Sequence, residues 1–357
     1  MLSLPANILE QTPEDMARTS LAAQAAYEFV SGQIAGIIDD KIREKLLVMY
    51  EYPRPCLPEQ MPRRKKLFCK LRDSGMLDVG LTFDEFVPKT IHRKKPPPVW
   101  AASGSHYRGH NAHPGGLLIH TEKNLRFALT AAEMHEAAYG LPADRDMLIF
   151  AQVAHDLAKT WLLPWQEDGA CLPQYQIAGA GAHHVFGLAE SIHQGFPPVL
   201  IFSQAATHVD PCTGEGYAEI CGFLRAACLI AGADPVSYGF WDKRGQPEFD
   251  HYAREHWFNY MADRMVVFTL RAGRRAVKLL KKLAEETYGF SKQELDGKPF
   301  NQFRNYLFCQ IGTAGILRAL SLGGTALLAQ EVQLCLAKAN KQRKEESHLC
   351  KPQSKKK

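Results

Sequence analysis

MLIFAQVAHDLAK, residues 147–159, decides how this chain is read. The stretch is apolar nearly all round, which marks a central buried helix rather than an amphipathic surface one. It nevertheless ends on His155, Asp156 and Lys159. An ionised carboxylate buried without a partner costs many kcal/mol, so Asp156 must be paired, protonated or bound to a metal.

Outward from it, the patterns stay helical. Thr121–Ala138 repeats apolar residues at three- and four-residue intervals. His183–His193, Val199–His208, Tyr217–Ala233 and Arg254–Leu283 follow, separated by GLPAD, GFPP, DPCTGEG and ADP turns. Residues 14–50 show one apolar repeat uninterrupted by proline beyond that point, and a further helix is expected through 301–342. Strand alternation is almost absent, so the fold class is all-α.

A second carboxylate, Asp263 in YMADRMVVF, shares an apolar stripe with Tyr260 and Val267. Several histidines stand on other helices: His120, His155, His183 and His208. Two carboxylates near imidazoles form a mixed N/O ligand set that suits Mn²⁺, Fe, Zn²⁺, Ni²⁺ or Co²⁺, with Mg²⁺ acceptable to the carboxylates. Ion pairs are the competing explanation, since Arg264 adjoins Asp263.

The order of these residues adds a resemblance. His120 in GGLLIHT, His155 and Asp156 in AHDLAK, His183 in GAHHVFG, His208 in ATHVDP and Asp263 in MADRM resemble the HD-domain metal-dependent phosphohydrolase superfamily. The stretch HNAHPGGLLIHT is similar to HD domains of exoribonuclease and conjugative-relaxase type. The resemblance runs over roughly residues 100–275, about half of the chain. Ala158 stands where the family often has glycine, and Lys159 is retained.

The resemblance implies an HD-type helical bundle with helical extensions. It implies that His120, His155, Asp156 and Asp263 bind one divalent ion, that Asp156 bridges, and that His183 and His208 complete a second site. His183 is preferred to His184 because it lies four residues before Gly187. Asp156 and Lys159 would then carry catalysis, with Lys159, Arg264 and His110 contacting substrate. The implied activity is hydrolysis of a phosphomonoester or phosphodiester, in a nucleotide or short nucleic acid, by a metal-activated hydroxide. The alternative is an HD-fold binding module in a DNA-transfer or RNA-processing assembly with weak or no hydrolysis.

Four sections are expected: an N-terminal, mostly helical extension over 1–95, the metal-binding catalytic section over 96–283, a C-terminal helical segment over 284–342, and a basic disordered tail over 343–357. KPPPVW at 95–100 marks the first boundary, because consecutive prolines continue neither a helix nor a central strand. No strand pattern suggestive of a nucleic-acid-binding barrel is visible in 1–95, which departs from the exoribonucleases.

Composition is that of an ordinary globular protein of 357 residues, 46% hydrophobic and 23% charged. The net charge of +5 comes from the end of the chain: residues 338–357 hold eight Lys or Arg against two Glu. The remainder is near neutral, which disfavours a generally basic nucleic-acid binder. Nine scattered cysteines without a CxxC pair point to free thiols and a cytoplasmic location. The apolar run 319–330, bracketed by Arg318 and Glu331, is too short for a bilayer, which needs ~20 residues. No membrane partner is expected, and protein partners are not indicated.

Overall fold

The computed structural model describes residues 2, 4–88, 98–107, 109 and 111–349; the side chains of Ala6 and of residues 340–349 lie outside that description. The fold is all-α. The described residues form eighteen α-helices and one two-stranded antiparallel pairing, in which Gln176 faces Gly181 and Ile177 faces Ala180.

The first six helices are α1 (Ala6–Glu10), α2 (Pro13–Arg18), α3 (Leu21–Ala35), α4 (Asp40–Glu51), α5 (Met61–Asp73) and α6 (Phe83–Phe86). The single apolar repeat over 14–50 is thus divided into three. Ser20 accepts a hydrogen bond from the Ala23 N–H, and Asp39 accepts from Lys41 and Ile42, so each side chain starts a new helix. Periodicity alone does not register such caps.

Next come α7 (Gly116–Tyr139), α8 (Arg145–Ala154), α9 (Lys159–Leu162), α10 (Ala182–His193), α11 (Pro198–Ala206), α12 (Gly214–Ala231) and α13 (Pro235–Tyr238). Every residue of α8 from Met147 to Ala154 is buried, as its apolar run predicts. It packs against α7, α11 and α14 (Arg254–Asp263). Burying side chains such as Leu148, Phe150 and Val153 stabilises the fold by about 1.5–3 kcal/mol each.

The last helices are α15 (Val266–Tyr288), α16 (Lys292–Leu295), α17 (Lys298–Gln310) and α18 (Gly312–Leu349). The expected helix over 254–283 is interrupted after Asp263: Val267 N–H donates to Arg264 O, and Phe268 N–H to Met265 O. Such three-residue bonds tighten the helix at that point. The helix expected over 301–342 breaks at Ile311, and α18 kinks at Gly323 and Gly324, which leave helical geometry. Glycine carries no Cβ penalty in such conformations.

Two apolar cores result. The larger joins Val30, Ile34, Phe68 and Phe86 to Phe150, Phe186 and Phe258. The smaller joins Ile8 and Met16 to Leu280, Phe303, Tyr306 and Val332. Residues expected to form an N-terminal extension therefore contribute to both. The boundary expected at 95–100 falls partly on residues 89–97, outside the described residues. Helix α18 runs to Leu349, past residue 343 where the tail is expected to begin. Residues 350–357 of that tail lie outside the described residues.

Within α18, Gly312–Ala339 is long and apolar enough to cross a membrane by length and composition alone, at 28 residues. The sequence expectation counted only 319–330. Ile316, Leu328, Val332 and Leu336 of this stretch are buried in the smaller core.

Candidate metal centre

Helix ends converge on one point inside the larger core. His120 lies in the second turn of α7, whose start depends on Gly115 and Gly116. Gly115 has φ of 78°, and a Cβ on Gly116 would sit 1.9 Å from Asn111 O. His155 and Asp156 leave the end of α8, where Leu157 N–H donates to Ala154 O and Lys159 N–H to Asp156 O. His183 is the second residue of α10, His208 follows the end of α11, and Asp263 ends α14.

Asp156 is fully buried and turns its two oxygens toward different imidazoles. Oδ2 lies 3.2 Å from His120 Nε2 and 3.4 Å from His155 Nε2. Oδ1 lies 3.1 Å from His183 Nε2 and 3.9 Å from His208 Nε2. Asp263 adds Oδ1 at 3.2 Å from His120 Nε2 and Oδ2 at 3.4 Å from His208 Nδ1. All six residues expected as metal ligands thus stand together. His120, His155 and Asp263 form one compact group, and His155, Asp156 and His208 another.

The protonation states suit metal binding, which needs ionised carboxylates and neutral imidazoles. Burial opposes charge on Asp156, yet the Lys159 ammonium and neighbouring imidazoles hold its carboxyl well below the usual range. Burial likewise opposes charge on Asp263, but hydrogen bonds from His120 and His208 keep it well below. Burial, then the Lys159 charge, pushes His183 down to about 3. Burial also lowers His208. His120 goes the other way: burial opposes its charge, but Asp156 and Asp263 outweigh it and raise the pKa. A cation arriving between those carboxylates would displace that proton.

The strongest sign of a fit is what the protein leaves unsatisfied. His155 Nε2, Asp156 Oδ1, His183 Nε2 and His208 Nε2 are all buried without a well-formed hydrogen bond, and all face the same interior. Buried polar atoms are normally satisfied, and a missing ion is one recognised explanation for exceptions. His155 Nδ1 lies 2.8 Å from Gln152 O, so its proton goes there and Nε2 presents a lone pair inward. His183 differs. Gln174 Oε1 accepts from the His183 backbone N–H at 2.8 Å, which fixes the amide so that Gln174 Nε2 donates to His183 Nδ1 at 2.5 Å. The His183 ring proton then sits on Nε2, facing Asp156.

Lys159 Nζ is buried and donates to Asp156 Oδ2 at 2.6 Å. Arg264 is exposed; it donates to His208 O and stacks 4.4 Å over the Tyr260 ring. His110 lies outside the described residues. His184 stacks on His208 with ring centroids 3.5 Å apart. Asn124, Gln152 and Gln174 were not singled out by the sequence. Asn124 donates to Asp263 Oδ1 at 3.0 Å, and its place four residues after His120 on a buried helix face was a usable signal. Gln174 sits in a loop and carries no such signal. A cavity of about 360 Å³, lined by His120, Lys123, Asn124, Phe127 and Met265, opens beside the centre.

Comparison with known proteins adds one relative. The chain is 25% identical over 174 residues to the dihydroneopterin 2',3'-cyclic phosphate phosphodiesterase of Methanocaldococcus jannaschii, a match covering 49% of this chain and 56% of that protein. The chain therefore spans only about half the length of the curated relative it matches. No protein-family profile matches the chain. No solved structure matches it.

Proposed function

We propose that this protein is an HD-type metal-dependent phosphohydrolase that cleaves a phosphoester of a nucleotide-like molecule or short nucleic acid. The observation that carries this reading is Asp156: one fully buried carboxylate presents separate oxygens to two groups of imidazoles. Such an arrangement supports a carboxylate shared between two cations. The activity of that relative, a cyclic phosphate phosphodiesterase, supports phosphodiester chemistry on a small substrate.

Divalent ions held here would lower the pKa of water and polarise a phosphoryl oxygen. His120, His155, Asp156 and Asp263 would hold one ion, and Asp156, His183 and His208 the other. The chain's own part is electrostatic. Asn124 orients Asp263, and Gln152 orients His155. Lys159 holds Asp156 ionised through one of the three donors of its ammonium, leaving others for a phosphoryl oxygen. Arg264, exposed and bonded to His208 O, would meet the substrate's remaining charge.

Asp156→Asn tests the reading. It preserves volume and removes the bridging charge. Helical circular dichroism should persist, while bound metal and hydrolysis of bis(p-nitrophenyl) phosphate are lost. Unchanged hydrolysis would sink the assignment. Elemental analysis decides against the binding-module alternative if about two transition-metal ions accompany each chain. A metal-free protein that still binds its nucleic acid would favour that alternative.

A further inference from the structure

A second cavity, about 610 Å³, lies between α15, α17 and the start of α18. Neither carboxylate nor any imidazole of the metal centre lines it, although it adjoins the cavity beside that centre at Asn111. Its size falls within the roughly 300–1,000 Å³ of small-molecule sites.

Arg304 of α17 lines this cavity and is 3% exposed. Its Nε and Nη2 donate to Asn305 Oδ1 at 3.2 and 2.8 Å, and Nη1 to Tyr107 O at 3.4 Å. These acceptors are all neutral, and no carboxylate pairs with Arg304 within 4 Å among the described residues. Of the five donors of a guanidinium, one N–H on each Nη remains, the fork that grips a carboxylate or phosphate. Burial has already pushed this guanidinium down to about 10. A buried cation hydrogen-bonded only to neutral groups is costly, and an anion in contact would relieve that cost.

The other charges around the cavity do not supply that anion. Asp296 is taken by Lys281 at 2.6 Å, while Asp168 accepts from the Ala170 N–H and favours the Arg304 charge only from beyond ion-pair distance. Arg274 adds a further cation, so among the described residues the lining carries three bases against two acids. Thr313, in the first turn of α18, brings a helix N-terminus to the wall, which also favours negative charge. The apolar part comes from Phe300, Phe308 and Val277.

Gly273 supplies an independent observation. It is buried in the middle of α15 and lines the cavity, and nothing lies within 4 Å of where its Cβ would be. Alanine there would favour the helix. The fold's own packing gives no reason for glycine, but a cavity that must stay open does.

We propose that this cavity binds a small organic oxyanion, a phosphate or carboxylate on a flat apolar body, gripped by Arg304 and separate from the metal centre. The test is calorimetric titration of the full-length, chelator-treated chain with phenyl phosphate, benzoate and neutral benzyl alcohol. Chelation removes binding that depends on metal. At least one anion should saturate the site in or below the ~mM range. Benzyl alcohol should bind at least tenfold more weakly, and whichever anion binds tighter identifies the headgroup. Gly273→Leu should cut the anion's affinity at least tenfold while keeping the helical spectrum and, with metal restored, phosphoester hydrolysis. Arg304→Met should do the same to affinity; if it does not fold, Gly273→Leu alone carries the test. Three results would overturn the proposal: no saturable binding of either anion, equal binding of benzyl alcohol, or undiminished affinity in Gly273→Leu. Loss of hydrolysis in Gly273→Leu would also overturn it, because the cavity would then be the substrate pocket.

Discussion

Asp156, two residues past the end of α8, and Asp263, the last residue of α14, both stand where an α-helical ladder gives way to three-residue bonds. Lys159 N–H donates to Asp156 O at 2.9 Å, and just after Asp263 the Val267 N–H donates to Arg264 O at 3.1 Å. His208 shares this setting, with Val209 N–H donating to Ala206 O at 3.3 Å. A side chain leaving such a turn is displaced from the regular helical stripe. Side chains from several helices can therefore meet at one point rather than packing side by side.

Asn124 should matter to the metal without touching it. It donates to Asp263 Oδ1 and lies 3.2 Å from His120 Nε2. Asn124→Leu should lower metal affinity or turnover by about 10–100-fold, the usual cost of losing an orienting partner. Competition with a chromogenic chelator measures it. Wild-type affinity in this variant would show that the packing of α7 alone orients Asp263.

The orientation of Gln174 should set the affinity of the second cation site. As placed, its amide leaves the ring proton of His183 on Nε2. Gln174→Glu accepts from both the backbone N–H and Nδ1–H, moving the lone pair to Nε2. The second ion should then bind about tenfold tighter while the first is unaffected. Stepwise metal titration reads both. Equal or weaker second-site binding would show that His183 is not a ligand through Nε2.

Acid should destabilise the fold through histidines away from the centre. Burial pushes His256, which is fully enclosed, from 6.5 down to about 4. The unfolded chain takes up a proton below 6.5 that the native state refuses until about 4, so stability falls as pH drops through that window. The loss from this residue is on the order of 3 kcal/mol. His113, also held down to about 4 by burial, adds to it. His256 packs 5.0 Å from the Phe202 ring, so His256→Phe should fit and flatten the acid limb of the urea midpoint against pH. An equally steep limb would assign acid sensitivity to other groups.

Gly116 should tolerate no side chain. Gly116→Ala places a Cβ against Asn111 O and should cost about 2 kcal/mol or more, with loss of bound metal as His120 shifts. Gly222→Ala in α12, where nothing lies within 4 Å, should instead stabilise by about 0.5–1 kcal/mol. Thermal melts of both compare the two directly. Equal melting temperatures would mean that residues 111–116 yield freely.

The all-α class was legible because MLIFAQVA has the all-round apolar character of a buried helix, its neighbours repeat with helical period, and strand alternation is nearly absent. The coming together of His120, His155, Asp156, His183, His208 and Asp263 was legible from polar residues on apolar runs and from their order. Caps were the first thing missed: Ser20 and Asp39 divide 14–50 because hydrogen bonds between side chain and backbone do not alter apolar spacing. The partners of the site were the second. Gln174 meets His183 only through the loop before α10, and no local pattern announces a contact made by a loop. Net charge also hid a separation. The body is near neutral, yet Arg271, Arg274, Arg275 and Lys278 line exposed positions of α15. Summing charges over a chain erases where they lie.

The smaller core has a consequence for how the chain is made. Ile8 and Met16 pack with residues of α15, α17 and α18, and Ser20 Oγ donates to Cys309 O. A growing chain exposes α1 and α2 long before those partners leave the ribosome. The bundle around α8 has all its pieces by Phe258 and can collapse first. The early helices must wait, apolar faces uncovered, until the last ones arrive to close over them. During synthesis that interval, rather than the finished fold, is when this protein is most open to capture by a chaperone or to aggregation.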